Sequence, residues 1–319
     1  MNRIAVLTSG GDCPGMNACL RAILRCANKK GIEVYGIEDG YKGLVEGIMY
    51  PLTPEDGADR LQKGGTFLGT VRLPEFVNDD VQYKAIEQLK KHEIEGLIVI
   101  GGDGSYRGAE ALALKGVKVI AIPGTIDNDI GGTEETIGFH TAINNIVDAV
   151  EKLRDTSASH HRCFVVEVMG NHSDELALYS SIACGSEFLI TKNTGYNEEE
   201  TLSMVKYLEK YEKRRHAIII ASEKILDVEK LAKRIDSETG FNGRAIVLGH
   251  IQRGGSPVPE DRILASQMGK CALDGLLANE TNKCVCKVKN DFILKGIDEA
   301  LKEESRVKRS MYELSDELI

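Results

Sequence analysis

Two carboxylates one residue apart stand in a single short stretch, Pro123-Gly124-Thr125-Ile126-Asp127-Asn128-Asp129, directly after the apolar run Lys118-Val119-Ile120-Ala121-Ile122. On a glycine-containing turn at a strand end, one such carboxylate can take a proton from a hydroxyl and the other can hold a hydrated cation. The same residue types also build ordinary turns, because Asp and Asn side chains bond to nearby backbone amides. The rest of the chain has to decide between these two uses.

Placement favours chemistry. Gly10-Gly11-Asp12, Gly101-Gly102-Asp103-Gly104-Ser105, Thr125-Ile126-Asp127-Asn128-Asp129, Met169-Gly170, Ser222-Glu223 and Gly249-His250-Ile251-Gln252-Arg253-Gly254-Gly255 each follow an apolar run. In a doubly wound sheet, loops at the carboxyl ends of strands converge on one crevice, where ligands bind. Gly10-Gly11, and Gly101-Gly102 followed by Gly104, let backbone amides approach phosphate oxygens. Helices starting near Pro14 and Ser105 would add their positive N-termini. Neither loop matches G-x-x-x-x-G-K-[ST] or G-x-G-x-x-G, so those two phosphate-binding modes are not supported. A carboxylate inside a phosphate cradle would repel its ligand unless a cation lay between them. Asp103 with Asp129 suits Mg²⁺, which keeps several waters and takes only one or two carboxylates plus phosphates. Asp127 is then left as the base.

Cations are scattered in sequence but fall beside strand ends and glycine-rich loops: Arg72, Arg162, Arg244 and Arg253. Arginine suits a phosphate because its planar fork bonds two oxygens at once, although each of these residues taken singly also fits an ordinary surface. His250 and Arg253, three apart, could share one anion. Arg21 and Arg25 lie one helical turn apart and face the same way. They form either a solvated helix face or a second anion site, which Arg154 and Lys213-Arg214-Arg215 could join in an oligomer.

To position these loops the chain alternates strand-like and helix-like segments. Strands are expected over 4–7, 33–37, 97–100, 118–122, 163–168, 216–221, 245–248 and 283–288. Helices are expected over 16–29, 79–92, 105–115, around 143–153, 174–184, 197–213, 228–239 and 259–277, with a helical tail at the C-terminus. Such alternation predicts an α/β fold with parallel sheets and crossover helices. Asn197 before three glutamates reads as a helix cap. Two α/β units explain the pattern better than one sheet of ten or more strands. The second begins near Gly138, and without a flexible linker the chain is expected to cross between them more than once.

Composition narrows the function classes. The chain has 319 residues, 42% hydrophobic and 28% charged, which suits one large core or two domains. A formal net charge of -9 without a long basic run argues against nucleic-acid binding. No apolar run approaches the ~20 residues that span a bilayer, and the N-terminus enters a strand without a signal-peptide pattern. The eight cysteines are scattered, and Cys284-Val285-Cys286 lacks the second pair that a zinc site needs. Buried thiols in a reducing, cytoplasmic compartment are expected.

Together the motifs closely resemble those of the bacterial-type ATP-dependent 6-phosphofructokinases (the phosphofructokinase A family). The stretches that carry the resemblance are LTSGGDCPGMNA (7–18), GGTFLGT (64–70), IGGDGSYRGA (100–109), PGTIDNDIGGT (123–133), LRDTSASHHR (153–162), VEVMG (166–170), VLGHIQRGGSP (247–257) and DRILAS (261–266). The resemblance implies two Rossmann-like doubly wound parallel-sheet domains with the active site in the cleft between them. It implies a larger ATP-binding domain of 1–138 plus about 252–305, and a smaller fructose 6-phosphate-binding domain of 139–251 plus about 306–319.

The implied reaction is ATP- and Mg²⁺-dependent phosphorylation of the C1 hydroxyl of fructose 6-phosphate, a glycolytic step under allosteric control. By the resemblance Asp127 is the base, with Thr125, Asp129 and Arg72 beside it, and Asp103 and Asp129 serve the metal. Gly11, Tyr41, Arg72, Leu73, Gly102, Asp103, Gly104, Ser105 and Gly108 match the ATP site, with Phe76 near the adenosine. Thr125, Ile126, Asp127, Met169, Gly170, Asn171, Glu223, His250, Ile251, Gln252 and Arg253 match the sugar-phosphate site. Arg162 and Arg244 correspond to residues that reach the 6-phosphate from a neighbouring subunit of a homotetramer. Arg21, Arg25, Arg154, Gly185, Glu187, Lys213, Arg214, Arg215 and His216 match an effector site for ADP and phosphoenolpyruvate. One extra residue between Lys206 and His216 leaves the 213–216 part open by one position.

Gly104 and Gly124 point to ATP as donor, because bulkier residues there accompany pyrophosphate use in the superfamily. Two departures stand out: Asn171 where relatives carry Arg, which removes a charge near the transferred phosphate, and Asp174-Glu175 where relatives carry Gly-Asp. The alternatives are a pyrophosphate-dependent enzyme and a catalytically weak nucleotide-binding regulatory relative.

Overall fold

The computed structural model describes residues 1–212, 214–303 and 309–318. In chain order the elements are β1 (Arg3–Ser9), α1 (Met16–Lys29), β2 (Glu33–Ile37), α2 (Tyr41–Glu46), β3 (Met49–Leu52), α3 (Asp79–Lys91), β4 (Gly96–Gly101), α4 (Asp103–Leu114), β5 (Val119–Pro123) and α5 (Phe139–His160). There follow β6 (Arg162–Val168), α6 (Glu175–Cys184), β7 (Phe188–Ile190), α7 (Glu198–Lys210), β8 (Ala217–Ser222), α8 (Val228–Glu238) and β9 (Asn242–Val247). The last elements are α9 (Pro259–Leu277), β10 (Lys283–Val288), β11 (Asp291–Gly296), α10 (Ile297–Lys302) and α11 (Arg309–Leu318).

Contacts divide the chain into two units, 1–141 with 253–305, and 142–252 with 306–319. The first unit carries a seven-stranded sheet ordered β11-β10-β5-β4-β1-β2-β3. Its middle is parallel, whereas the outer pairs β2/β3 and β10/β11 are antiparallel. β4 and β5 are buried along their whole length, as strands covered on both faces must be. α1 and α9 pack closely on this unit, and at Gly269 a Cβ would come within 2.9 Å of the Cys19 carbonyl oxygen, so glycine lets the two helices approach.

The second unit carries a four-stranded, all-parallel sheet ordered β7-β8-β6-β9. Its core sets Val165, Ile219 and Ala221 against Leu202, Val205 and Leu208 of α7 and Leu231 and Ile235 of α8. Each Val, Leu or Ile side chain among them contributes about 1.5–3 kcal/mol by leaving water. Asn197 caps α7, accepting from the amides of Glu199 and Glu200, as its position before three acidic residues predicts. All eight cysteines are free, with Cys284 and Cys286 buried side by side on β10. Among the described residues no helix is long and apolar enough to cross a membrane.

Candidate functional site

Three of the expected loops meet at one edge of the seven-stranded sheet. The register pairs Ser9 with Gly101 and Gly101 with Pro123, so the loops after β1, β4 and β5 leave the sheet side by side. The chain moves outward from β1 to β2 and β3, then returns on the other side of β1 to β4 and β5. That reversal makes the β1/β4 junction a switch point, where open α/β sheets bind ligands. Gly10-Gly11 and Gly102-Asp103-Gly104-Ser105 stand on its two sides.

These two glycine loops differ in how much of their space the protein fills. A Cβ on Gly11 would strike the Arg253 guanidinium, and one on Gly124 would crowd Ile100 Cγ2 at 3.0 Å and Met16 Cε at 3.2 Å. A Cβ on Gly104 would meet nothing within 4 Å. Glycine at 124 therefore has a packing reason inside the chain, whereas glycine at 104 has none. Ser105 is buried, and its Oγ has no hydrogen-bond partner among the described residues. Asp103 is exposed in the first turn of α4 and pairs with Arg107 one turn on, Nη2 to Oδ2 at 3.1 Å.

Tyr41 lies beneath this loop. Its hydroxyl donates to the Ser105 carbonyl at 2.6 Å, its ring stacks on Phe76 at 4.2 Å, and it fills the space a side chain at Gly108 would need. Burial pushes its phenol far up. Tyr41 and Gly108 thus hold α4 from below. Arg72 is exposed, and Leu73 packs against the core just before a short helical turn at Pro74–Val77.

Asp127 sits in a different setting. It is 7% exposed, its Oδ2 accepts from Thr125 Oγ1 at 3.3 Å, and its amide donates to the same hydroxyl oxygen at 3.2 Å. Arg253 Nη2 lies 4.0 Å from Asp127 Oδ2 while Nη1 donates to the Asp12 carbonyl at 3.2 Å. The returning segment braces the loop: Thr136 Oγ1 donates to the Thr125 carbonyl at 2.6 Å, and the Thr136 amide donates to Asn128 Oδ1 at 2.8 Å. The Thr125 amide donates to the Ile137 carbonyl at 3.1 Å. Asn128 adopts φ 50°, a left-handed conformation that Asn tolerates better than most residues. Asp129 is half-buried two positions on.

In the second unit the loops after β6, β8 and β9 likewise emerge together, with Val168 opposite Ser222 and Glu167 opposite Val247. Gln252 is fully buried and ties two of them: Oε1 accepts from the Met169 amide at 3.1 Å, and Nε2 donates to the Gly249 carbonyl at 2.9 Å. Its side chain is committed to the protein. Glu223 Oε1 accepts from the Asn171 amide at 2.8 Å, and Lys224 Nζ donates to Asn171 Oδ1 at 3.4 Å. Gly170 is buried, while His250 and Ile251 are exposed.

Asp174 answers one question that its sequence position raises. Its carboxylate accepts from the amides of Lys192 at 3.2 Å and Asn193 at 3.1 Å, from Ser222 Oγ at 3.3 Å and from the Tyr312 hydroxyl at 3.1 Å. Four donors make it a structural clamp between α6, the loop after β7, the end of β8 and α11.

Arg162 and Arg244 lie elsewhere. Arg162 opens β6 and Arg244 is the third residue of β9, so both belong to the amino-terminal half of this sheet. Six strand residues, about 20 Å at 3.3 Å each, separate Arg162 from the loop that carries Met169. Arg162 donates to Thr156 Oγ1 at 3.1 Å and Arg244 pairs with Asp236 at 3.1 Å. The structure thus does not bring them to this unit's own carboxyl-end loops.

The second unit gathers part of the other expected cation group. Arg154 Nη1 lies 4.0 Å from Glu187 Oε1 and 3.4 Å from His216 Nε2, its Nη2 bonds the Cys184 and Gly185 carbonyls, and Arg214 Nη1 reaches Glu187 Oε1 at 3.6 Å. A cavity of about 820 Å³ opens here, its other wall apolar with Phe188, Tyr196, Met204 and Leu318. Sequence spacing gave no sign of that wall. Arg215 is exposed, and Lys213 lies outside the described residues. Arg21 and Arg25 stand on α1, Arg21 half-buried and Arg25 exposed.

Among the described residues no group of three or more His, Cys, Asp and Glu could hold a metal alone. Mg²⁺ shared with phosphates needs only one or two protein carboxylates. Asp103, exposed in the first turn of α4, is a carboxylate that such an ion could share.

A phosphofructokinase family model matches residues 3–276. The ATP-dependent 6-phosphofructokinase of Photobacterium profundum is 48% identical over 319 residues, covering 100% of this chain and 99% of that relative. The solved phosphofructokinase of Saccharomyces cerevisiae has a TM-score of 0.87 at 32% identity, covering 95% of this chain, which spans 45% of the yeast chain. A pyrophosphate-dependent phosphofructokinase from Marinobacter aquaeolei shares the fold, with a TM-score of 0.83 at 19% identity, covering 100% of this chain and 92% of its own. A match over most of the sequence and a full-length relative agree: the chain belongs to the phosphofructokinase family.

Proposed function

We propose that this protein is an ATP- and Mg²⁺-dependent 6-phosphofructokinase that transfers the γ-phosphoryl group of ATP to the C1 hydroxyl of fructose 6-phosphate. The observation that carries this reading is the Asp127 carboxylate, held in a braced loop beside an open glycine loop at a strand switch point. Asp127 takes the hydroxyl proton as the C1 oxygen attacks the γ-phosphorus, and ADP leaves. Thr125 fixes the orientation of the carboxylate. Arg253 balances charge between Asp127 and the loop at Asp12. Phosphoryl transfer asks for positioning and charge neutralisation more than for covalent help.

Gly11 and the amides of Gly102 and Gly104 cradle the nucleotide phosphates, with Ser105 packed behind them, Arg72 and Leu73 alongside and Tyr41, Phe76 and Gly108 supporting the wall. Asp103 and Asp129 would hold the metal ion, which would shield the charge of the phosphate oxygens. The empty space over Gly104 favours a full nucleotide as donor, in line with the ATP dependence of the full-length relative. Met169, Gly170, Asn171, Glu223, His250 and Ile251 form the sugar-phosphate side, braced by Gln252.

Arg162 and Arg244, at the opposite end of their sheet, serve the 6-phosphate of a second copy, which makes the working form an oligomer, in our reading a homotetramer. Arg154, Gly185, Glu187, Arg214, Arg215 and His216, with Lys213, and with Arg21 and Arg25 supplied across a subunit interface of the oligomer, form an effector site for ADP and phosphoenolpyruvate. The step belongs to glycolysis in the cytoplasm.

The test is donor exchange in an assay coupled to fructose 1,6-bisphosphate formation. Turnover with ATP and Mg²⁺, and little with pyrophosphate, is expected. Pyrophosphate as the better donor, or no product from the intact protein with either donor, overturns the proposal.

A further inference from the structure

Asp261, in the first turn of α9, is fully buried, and no cation forms an ion pair with it among the described residues. Instead its carboxylate takes three donors from the start of α5. Oδ1 accepts from the Gly138 amide at 2.9 Å, and Oδ2 accepts from the Thr141 amide at 2.7 Å and from Thr141 Oγ1 at 2.5 Å. The Thr141 hydroxyl oxygen also accepts from the Val258 amide at 3.1 Å. One carboxylate and one hydroxyl thus join the N-terminus of α5 to the segment that leads into α9.

Both partners continue directly into the candidate site. Gly138 follows Thr136 and Ile137, whose bonds to Thr125, Asn128 and Pro123 brace the Asp127 loop. On the other side, Arg262 holds the chain between Arg253 and α9: Nε donates to the Pro257 carbonyl at 2.6 Å and Nη2 to Ser256 Oγ at 2.9 Å. A buried carboxylate costs free energy that a well-packed apolar residue would not, and here it returns fixed geometry. Its hydrogen bonds favour the charged form, against a burial that pushes its carboxyl up.

We infer that Asp261 is a positioning residue for phosphoryl transfer: with Thr141 it locks the 136–138 segment, and through that segment it sets Asp127 against Arg253. This rests on the proposed function for the identity of the reaction but not for the lock itself. Asp261 touches no reacting atom. Its removal should loosen the Asp127 loop and lower kcat while sparing nucleotide affinity, which the loops after β1 and β4 provide.

The test uses the full-length protein with Thr141→Val, Thr141→Ser and Asp261→Asn, each alone and combined with Asp127→Ser. Hydrogen exchange of the 124–138 amides is read without substrates, and kcat and the KM for ATP are read with fructose 6-phosphate. Thr141→Val and Asp261→Asn should speed exchange over 124–138 by about tenfold or more while β1 and β4 keep their protection. They should lower kcat by about tenfold or more and leave the KM for ATP within about twofold. Thr141→Ser should behave as wild type. In the Asp127→Ser background neither variant should lower the residual rate further, since both act through the same carboxylate. Unchanged exchange overturns the inference, as does an equal loss of rate in both backgrounds, which would mark a general defect. Should Asp261→Asn fail to fold, Thr141→Val carries both readouts with the carboxylate in place. An inactive wild type would sink the proposed function, and the exchange arm alone would still decide whether the lock exists.

Discussion

Asp103 and Asp127 follow neighbouring parallel strands, β4 and β5, yet the protein treats them oppositely. Asp127 is 7% exposed in a loop tied by Thr125, Asn128 and Thr136. The Asp103 side chain is 48% exposed and pairs with Arg107 one turn along the same helix, a pair worth about 0.3–0.5 kcal/mol. A group that moves a proton has to be held within a fraction of an ångström before the substrate arrives. A group that meets a hydrated ion and a flexible polyphosphate can be left for the ligand to organise. With the roles proposed above, the fold rigidifies the loop that does the chemistry and leaves the binding loop open.

Four changes probe that contrast, beginning with the largest effect. Arg253→Ala leaves Asp127 without its neighbouring cation and should lower kcat/KM for fructose 6-phosphate by about 10²–10³-fold, with a much smaller change in the KM for ATP. A loss confined to ATP would break the contrast. Asp103→Asn should instead raise the Mg²⁺ concentration needed for half-maximal rate, by about 10–100-fold, and barely move the melting temperature because the side chain makes only an exposed pair with Arg107. Steady-state kinetics across a Mg²⁺ titration checks it.

The two glycines separate open space from filled space. Gly104→Leu should fold normally, gain up to about 1 kcal/mol in helix stability and raise the KM for ATP by about tenfold or more. Gly124→Ala should cost about 1–3 kcal/mol by crowding Ile100 and Met16, seen in thermal unfolding. The reverse pattern would show that 104 is the packed position.

The smallest effect is a pH dependence. His140 Nε2 lies 3.1 Å from Glu135, whose other oxygen pairs with Lys287 at 2.5 Å. The hydrogen bond to Glu135 raises the His140 pKa, aided by nearby Asp261, and the same bond lowers Glu135 to about 2. A raised histidine stabilises the fold fully below its unfolded value, about 6.5, and that contribution is lost as pH rises through the folded value. Glu135 contributes above its unfolded value and loses that contribution as pH falls toward about 2. His140→Gln should therefore lower the melting temperature by about 1–2 °C at pH 6, with the gap closing at higher pH. A constant gap would assign His140 a packing role.

Much of the parallel framework was legible because its strands are unbroken apolar runs, such as Leu97-Ile98-Val99-Ile100, that end in glycine. The edges were not. β3 contains Pro51 and exposed Tyr50, and β11 sets only three apolar residues between Asp291 and Lys295 and buries none of them fully, so neither shows the signal of a buried strand. β7 is only three residues long. The loops that could carry chemistry were readable from their glycines and carboxylates, but what each polar residue is used for was not. Gln252 looks like a ligand group in sequence and Asp174 like an extra charge beside the site, and both are engaged by backbone amides in the fold. Asp261, inside DRILAS, gives no local signal, because its partners Gly138 and Thr141 lie more than a hundred residues away.

Arg162 and Arg244 directly precede the expected strands 163–168 and 245–248, and the register agrees in placing both in the amino-terminal half of their sheet. Asn171 bonds Glu223 through its amide and meets Lys224 on the exposed side through its side chain.

The most direct measurement compares wild type with Asp127→Ser at saturating ATP, Mg²⁺ and fructose 6-phosphate, alongside an ATP-binding titration of both. The proposal predicts fructose 1,6-bisphosphate from wild type, a kcat about 10²–10⁴-fold lower for Asp127→Ser, and ATP affinities that agree within about threefold. Equal rates in the two proteins would contradict it.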